Sequence, residues 1–341
     1  MTIFLLAIAI LILNKLKFVK KGINKDYISS NNTKIINGIF VLLVLLSHSI
    51  PYITWSDSLT DSIGLFVISN IAQLMVTTFF FYSGYGIFES IKSKKQQYIN
   101  SMPKKRILNT LIKFDIAIFL FFIVSNFLGI KYNLKTILLS LIGWSAVGNS
   151  NWYIFIILCL YLITYISFNC FKNKSDITKI NLVLIIAIVF IFVIKEFKEP
   201  WWYNTMLCYP FGMYFSYYKK IIESKLKNNK NYIICLICIL IIFLISLLFR
   251  KNVCVHSTIH VISFVLLVVL FSMKVVLNSK ILAFMGMNVF YIYIYQRIPM
   301  MILQGHNINK YVFIILIFII TLSIGKLISY FEDKLFKKIK L

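Results

Sequence analysis

One histidine, His48, lies inside an apolar run that reads from Asn37 through Gly38, Ile39 and Phe40 to Ser47 and Ser49. Keeping an ionisable side chain in such a run is costly, so it is a candidate for function in its own right. An imidazole titrates near neutrality, which suits it to take the proton of a hydroxyl as that hydroxyl attacks an acyl carbon. The competing reading of the same residue is a hydrogen bond between helices with no chemistry attached.

A second run, Phe79-Phe80-Phe81-Tyr82-Ser83-Gly84-Tyr85-Gly86, offers hydroxyls at Ser83 and Tyr85 beside small residues that let a neighbouring helix or a ligand approach the backbone. Helix packing alone accounts for the glycines equally well. Beyond it come Lys92, Lys94, Lys95, Lys104, Lys105 and Arg106, with Lys113 and Asp115 further along. Cations at the mouth of a helix are natural partners for the phosphates of a cytosolic donor such as acetyl-CoA. Lys113 and Asp115 can also pair with each other or with nearby backbone. Asp57, Asp61, Glu196 and Glu199, with Trp55, Trp201 and Trp202, could line a sugar site, although interfacial anchoring explains the tryptophans too. His256 and His260 stand one helical turn apart, a spacing that could seat a metal, but no carboxylate motif supports one and no metal is expected.

These residues need elements to hold them, and the composition says which. The 341 residues are 60% hydrophobic and only 14% charged, more apolar than one soluble core requires. Apolar runs bounded by charge predict helices at 2–13, 35–53, 63–88, 107–128, 151–171, 180–194, 203–218, 232–249, 255–277, 281–303 and 311–331. The expected class is therefore an all-α polytopic integral membrane protein with about 10–11 transmembrane helices. One membrane-embedded domain covers 1–341: an anchor helix and basic loop over 1–34, a helical core over 35–331, and a basic tail over 332–341. Segment 137–147 is apolar but too short to span, and is expected to lie flat or dip in. With the N-terminus outside and the C-terminus inside, the inner loops hold 25 Lys and Arg against 7 outside, the asymmetry that fixes orientation.

The same charge distribution disposes of one partner class. A net charge of +25 would point a soluble chain toward nucleic acid, but here the basic residues sit in short clusters between apolar runs, so nucleic acid is not expected. The six cysteines imply no disulfide framework, and Cys235 and Cys238 read as small packing residues.

Taken in order, these segments resemble acyltransferase family 3, integral membrane O-acyltransferases that acetylate polysaccharides, lipopolysaccharide, peptidoglycan and similar surface glycans. The stretch from Asn37 to His48 resembles the family's opening helix, where a basic residue, then Gly, precede a His eleven positions after that basic residue. Phe80-Phe81-Tyr82-Ser83-Gly84-Tyr85 resembles its Phe-Phe-x-Ser-Gly-Tyr segment, Lys105-Arg106-Ile107-Leu108 its basic helix entry, and Asn151-Trp152-Tyr153 the start of a later helix. Tyr209-Pro210-Phe211-Gly212 and Gly286 through Tyr293 are weaker matches. The resemblance implies that His48 is the catalytic base and that Arg106, with Lys105 and Lys113, contacts acyl-CoA. Asn37, Ser83, Tyr85, Trp152 and Lys34 would bind substrate. Three positions depart from the family: Asn37 replaces the basic partner of the His, Asn109 a second Arg, and Gln296 a His. Lys34 shares a helix face with Asn37 and could restore the charge.

The expected function is transfer of acetyl from acetyl-CoA, a donor substrate and not a bound cofactor, to a hydroxyl of a cell-surface or lipid-linked glycan, in the bacterial plasma membrane. Acyl-CoA, the glycan acceptor, membrane lipid and a second copy of the chain in a homo-oligomer are the partners this allows. A transporter or flippase without acyl transfer is the rival, since intramembrane polar residues equally mark a substrate path.

Overall fold

A computed structural model describes the chain apart from residues 15, 57, 72, 250–253 and 339–341, and leaves out the side chains of residues 249 and 254–256. The elements are α1 (Thr2–Leu13), α2 (Ser30–Ser49), α3 (Leu59–Ile71), α4 (Thr77–Met102), α5 (Asn109–Phe127), α6 (Leu134–Leu141), α7 (Trp152–Cys170) and α8 (Asp176–Ile194). They continue with α9 (Cys208–Leu226), α10 (Asn229–Phe249), α11 (Cys254–Lys274), α12 (Lys280–Met287), α13 (Val289–Tyr295), α14 (Arg297–Leu303) and α15 (Lys310–Lys338). Residues Lys17–Phe18 and Val275–Val276 pair as a minimal antiparallel ribbon, Lys17 opposite Val276. The chain is an all-α polytopic membrane protein. Among the described residues seven helical segments are long and apolar enough to cross a bilayer, and three more apolar helices are shorter.

Helix starts follow from local chemistry. Ser29, Asn133, Ser175 and Ser279 each accept a hydrogen bond from the backbone N–H three residues on, which satisfies a donor that the helix itself leaves open. Asn151, just before α7, instead donates 2.7 Å to the carbonyl of Gly143 and ties α7 to the turn after α6. That short α6 takes the place of the segment expected to lie flat at 137–147.

Four expected boundaries move, each for a physical reason. The helix expected at 63–88 divides into α3 and α4, with a short 3-10 turn over Leu74–Val76 between them. The loop expected at 89–106 is helical, because its Lys, Gln and Ser are compatible with helix; the helix kinks at Lys95, the one described non-glycine residue with positive φ (46°). Pro103 cannot sit in an ordinary helical turn, and Pro103–Leu108 widens into a π turn in which Asn109 N–H reaches back to Lys104 O. The helix expected at 281–303 is three pieces, α12 to α14. Pro299 crowds the carbonyl of Tyr295 four residues earlier, and α13 ends there. Finally, α15 runs on to Lys338, so residues 332–338 of the expected tail are helical and Glu332 and Phe336 are buried.

Close helix contacts are set by pairs of glycines. A Cβ on Gly38 of α2 would overlap the carbonyl of Leu282 in α12, and one on Gly286 would overlap the carbonyl of Lys34. Gly84 of α4 and Gly212 of α9 make the same reciprocal approach, against the carbonyls of Tyr209 and Phe81. Small residues are what let helix backbones come this near.

Buried side chains form two clusters. One gathers around α4, α7, α8, α9 and α11, and the other around α2, α5 and α13–α15. Trp152 and Tyr153 of α7, with Ile39, Phe40 and Leu42 of α2, pack against both. The seam between the two cores therefore runs along α2 and the start of α7, and Asn37, His48 and Trp152 lie on it.

Candidate active site

Three cavities share walls, and two of them lie on this seam. The first, about 630 Å³, is lined by Lys94, Gln97, Tyr98, Ser101, Lys105, Arg106 and Asn109. Arg106 also lines the second, about 380 Å³, together with Asn37, Ser83, Tyr161, Tyr153 and Tyr293. Tyr293 in turn lines the third, about 200 Å³, where it meets His48, Ser47, Gln73, Trp152 and Trp201. Arg106 and Tyr293 are thus the partitions in a series that leads from a basic mouth to the histidine.

Each side chain is held by the element that carries it. The π turn sets the aim of Arg106, whose Nε donates 2.9 Å to the hydroxyl of Tyr98 while its guanidinium lies 5.8 Å from that ring. Ser83 Oγ is 2.9 Å from the Tyr161 hydroxyl. His48, near the end of α2, has Gln296 Nε2 2.9 Å from its Nδ1, and the same amide nitrogen donates 3.0 Å to the carbonyl of Tyr293. The Tyr293 ring centroid is 6.2 Å from the imidazole. His48 is therefore hydrogen-bonded between helices and also open to a cavity.

Several buried polar atoms on these walls have no hydrogen-bond partner within the described protein: Asn37 Oδ1, Gln73 Nε2, Asn109 Oδ1 and the Tyr293 hydroxyl. A polar group out of water is costly unless it is paired, so a wall of this kind suits a polar occupant.

Sequence comparison gives the site its chemistry. The family model for an acyltransferase domain matches residues 34–330, most of the chain. The chain belongs to acyltransferase family 3. No curated protein and no solved structure matches it. The matched span opens at Lys34 and takes in α2 through most of α15, and every cavity residue named above lies inside it. It leaves out α1 and the ribbon strand Lys17–Phe18.

Within this acyltransferase, the series of cavities brings together His48, Asn37, Ser83, Trp152, Lys105 and Arg106. It does not bring in Tyr85, Lys34 or Lys113. Tyr85 lies two residues past Ser83 and so more than half a turn round α4; its hydroxyl accepts from Lys219 Nζ at 3.1 Å, away from the cavities. On α2, Thr33 and Asn37 share the cavity face. Lys34 falls on another side, where its carbonyl packs on Gly286, and it lines none of the three cavities. Lys113 pairs with Glu332 at 3.3 Å and donates to Tyr291, not to Asp115.

Other residues considered for sugar or metal contact also have structural partners. Asp61 is bonded to Lys310 and to Ser56. His260 Nδ1 sits 3.1 Å from Ser246 Oγ with its ring stacked on Phe243. Asp57 and the His256 side chain lie outside the described residues. Trp201 does reach the histidine cavity, half exposed at 50%. Tyr293, Gln73 and Tyr161 are cavity residues that sequence reasoning did not single out. Tyr293 closes one of the weak motif matches, while nothing in the sequence marks the other two.

Proposed function

We propose that this acyltransferase moves acetyl from acetyl-CoA to a hydroxyl of a cell-surface or lipid-linked glycan, with His48 taking the hydroxyl proton. The observation that supports the reading is the series of cavities joined at Arg106 and Tyr293. By the positive-inside rule the basic mouth faces the cytoplasm, with the N-terminus out and the C-terminus in, across the plasma membrane of a bacterium. A chamber of about 630 Å³ is in the range of small-molecule sites. Its Lys94, Lys105 and Arg106 suit the phosphates of the donor. The middle chamber offers hydroxyls at Ser83, Tyr161 and Tyr293 and the acceptor oxygen of Asn37 to the amide-rich arm and thioester. At the far end Trp152 and Trp201 offer ring faces on which a sugar can pack beside His48.

The test supplies radiolabelled acetyl-CoA to the purified full chain in lipid nanodiscs, with deacetylated surface polysaccharide or its lipid-linked precursor as acceptor. Label should enter the glycan, and His48→Ala should slow entry by about a hundredfold or more, the scale of general base catalysis. Transfer at the original rate in His48→Ala would remove the base. The same series of cavities would also serve a flippase, so glycan crossing sealed vesicles with no label incorporated would favour that reading.

A further inference from the structure

The contact between His48 and Gln296 fixes more than the position of the ring. Gln296 Nε2 faces two atoms, His48 Nδ1 at 2.9 Å and the carbonyl oxygen of Tyr293 at 3.0 Å. A carbonyl oxygen only accepts, so the atom facing it is the amide nitrogen; the reverse orientation would set two oxygens against each other. That nitrogen has two hydrogens, one for Tyr293 and one for the imidazole. Nδ1 is then an acceptor, and a neutral imidazole carries its single hydrogen on Nε2. Gln296 is fully buried at 0% exposure and is not among the residues that line the His48 cavity. The amide therefore holds the wall side of the ring and leaves the Nε2 end to the cavity.

We infer that Gln296 is a positioning residue that selects the tautomer of His48, so that the imidazole offers the cavity a hydrogen-bond donor and becomes a base there only when the Gln296 amide turns over. The consequence for catalysis rests on the acyl-transfer reading; the tautomer itself does not. Gln296 Oε1 is buried and has no partner where it stands. Turned over, it accepts from Nδ1–H, and the Tyr293 carbonyl loses its donor instead. The turned-over amide also sets its oxygen against that carbonyl and leaves its own N–H groups without these acceptors, so the orientation seen is the favoured one and the base-ready state lies above it by roughly one to two hydrogen bonds. Gln296 keeps helical backbone geometry (φ −56°, ψ −29°) with its N–H on the Ile292 carbonyl at 3.2 Å, so the turnover is a rotation of the side chain alone. Arg297 is the charged group that acts on His48, and the Tyr293 ring packs nearby. In the turned-over state Nε2 takes the hydroxyl proton as the hydroxyl oxygen bonds the acyl carbon. It returns that proton to the sulfur as the C–S bond breaks, which leaves ester and thiol.

The experiment is nitrogen NMR of the full chain labelled with ¹⁵N-histidine in lipid nanodiscs, with the His48 signals assigned by their loss in His48→Gln. The unsubstituted protein should show an unprotonated Nδ1 and a protonated Nε2. In Gln296→Glu the carboxylate only accepts, so the tautomer should reverse, while Gln296→Leu should give a mixture. Because Gln296→Glu holds the base-ready tautomer, its kcat should rise by about tenfold with KM for acetyl-CoA unchanged. The opposite swap, Asp to Asn beside a serine-protease histidine, costs about ten-thousandfold through the wrong tautomer. A protonated Nδ1 in the unsubstituted protein, or one tautomer ratio shared by Gln296→Glu and Gln296→Leu, would overturn the assignment. A reversed tautomer with a lower kcat would overturn the base step. If no acyl transfer is found at all, the nitrogen signals still decide the tautomer.

Discussion

Lys113 of α5 and Glu332 of α15 meet at 3.3 Å, and the Tyr291 hydroxyl of α13 lies between them, accepting from Lys113 at 3.1 Å and donating to Glu332 at 2.7 Å. Three elements distant in sequence are thereby joined by one polar cluster. Glu332 is buried at 1% exposure, so removing only its partner leaves a charge with little compensation. Lys113→Met should cost about 2–3 kcal/mol, below the figure for a fully buried pair because the lysine is partly exposed. Adding Glu332→Leu should recover most of that loss. Thermal unfolding in nanodiscs reads both. A raised KM for acetyl-CoA in Lys113→Met with no change in Tm would return this lysine to the donor site.

The glycine pair between α4 and α9 separates packing from chemistry in the Ser83 segment. Gly84→Ala places a methyl on the carbonyl of Tyr209, where backbone must move, at a cost of about 1–3 kcal/mol. Gly86 has nothing within 4 Å of an added Cβ, so Gly86→Ala should fold as well as the parent. Expression level and Tm are the readouts. Equal behaviour of the two variants would mean that α4 and α9 do not approach as described.

How much of this was legible in the sequence depended on what kind of signal each feature left. Apolar runs closed by charge mark α7, α10, α11 and α15 to within a few residues at most ends, because a lipid-facing helix has to be apolar all round. Charge alone misplaces the stretch after Ile91, where a helix carries the lysines and kinks at Lys95. A polar residue in an apolar run is conspicuous, and so His48 and Ser83 stand out, while Arg106 is marked by its place in the basic cluster before an apolar run. Tyr85 stands just as close to Ser83 in sequence, yet periodicity sends it to another face. Tyr293 and Tyr161 are hidden among the chain's 20 tyrosines, and only the geometry separates those on the cavity from those against lipid.

Arg106 divides the basic chamber from the middle one, so its loss should be felt in donor binding before it is felt in chemistry. Arg106→Ala removes a charge-assisted contact of about 1.5–3 kcal/mol, which predicts a KM for acetyl-CoA raised by roughly tenfold to a hundredfold. Arg106→Lys keeps the charge but loses the planar guanidinium that holds Tyr98, and should fall between the two. Initial rates against donor concentration would show the split. An unchanged KM in Arg106→Ala with a lowered kcat would move the arginine from donor binding to the reacting group.

Lys198 sits between two indoles, 4.0 Å from the Trp144 ring and 4.3 Å from that of Trp202, and donates 2.7 Å to the Trp144 carbonyl. Burial pulls its ammonium below the ordinary lysine pKa, while the ring faces and the carbonyl favour the charge. The clamp fixes the short turn Pro200–Trp202, and that turn carries Trp201 to the His48 cavity. Lys198→Met should therefore act at a distance, raising KM for the glycan acceptor by a few-fold through a loosened Trp201, with the donor KM unchanged. Trp201→Ala should raise the acceptor KM by roughly tenfold, the value of one stacked ring at about 1–2 kcal/mol. Competition between the parent and each variant for a limiting acceptor would show it. A Trp201→Ala enzyme with the parent's acceptor KM would leave Trp201 as an anchor in the membrane surface and take the sugar site elsewhere.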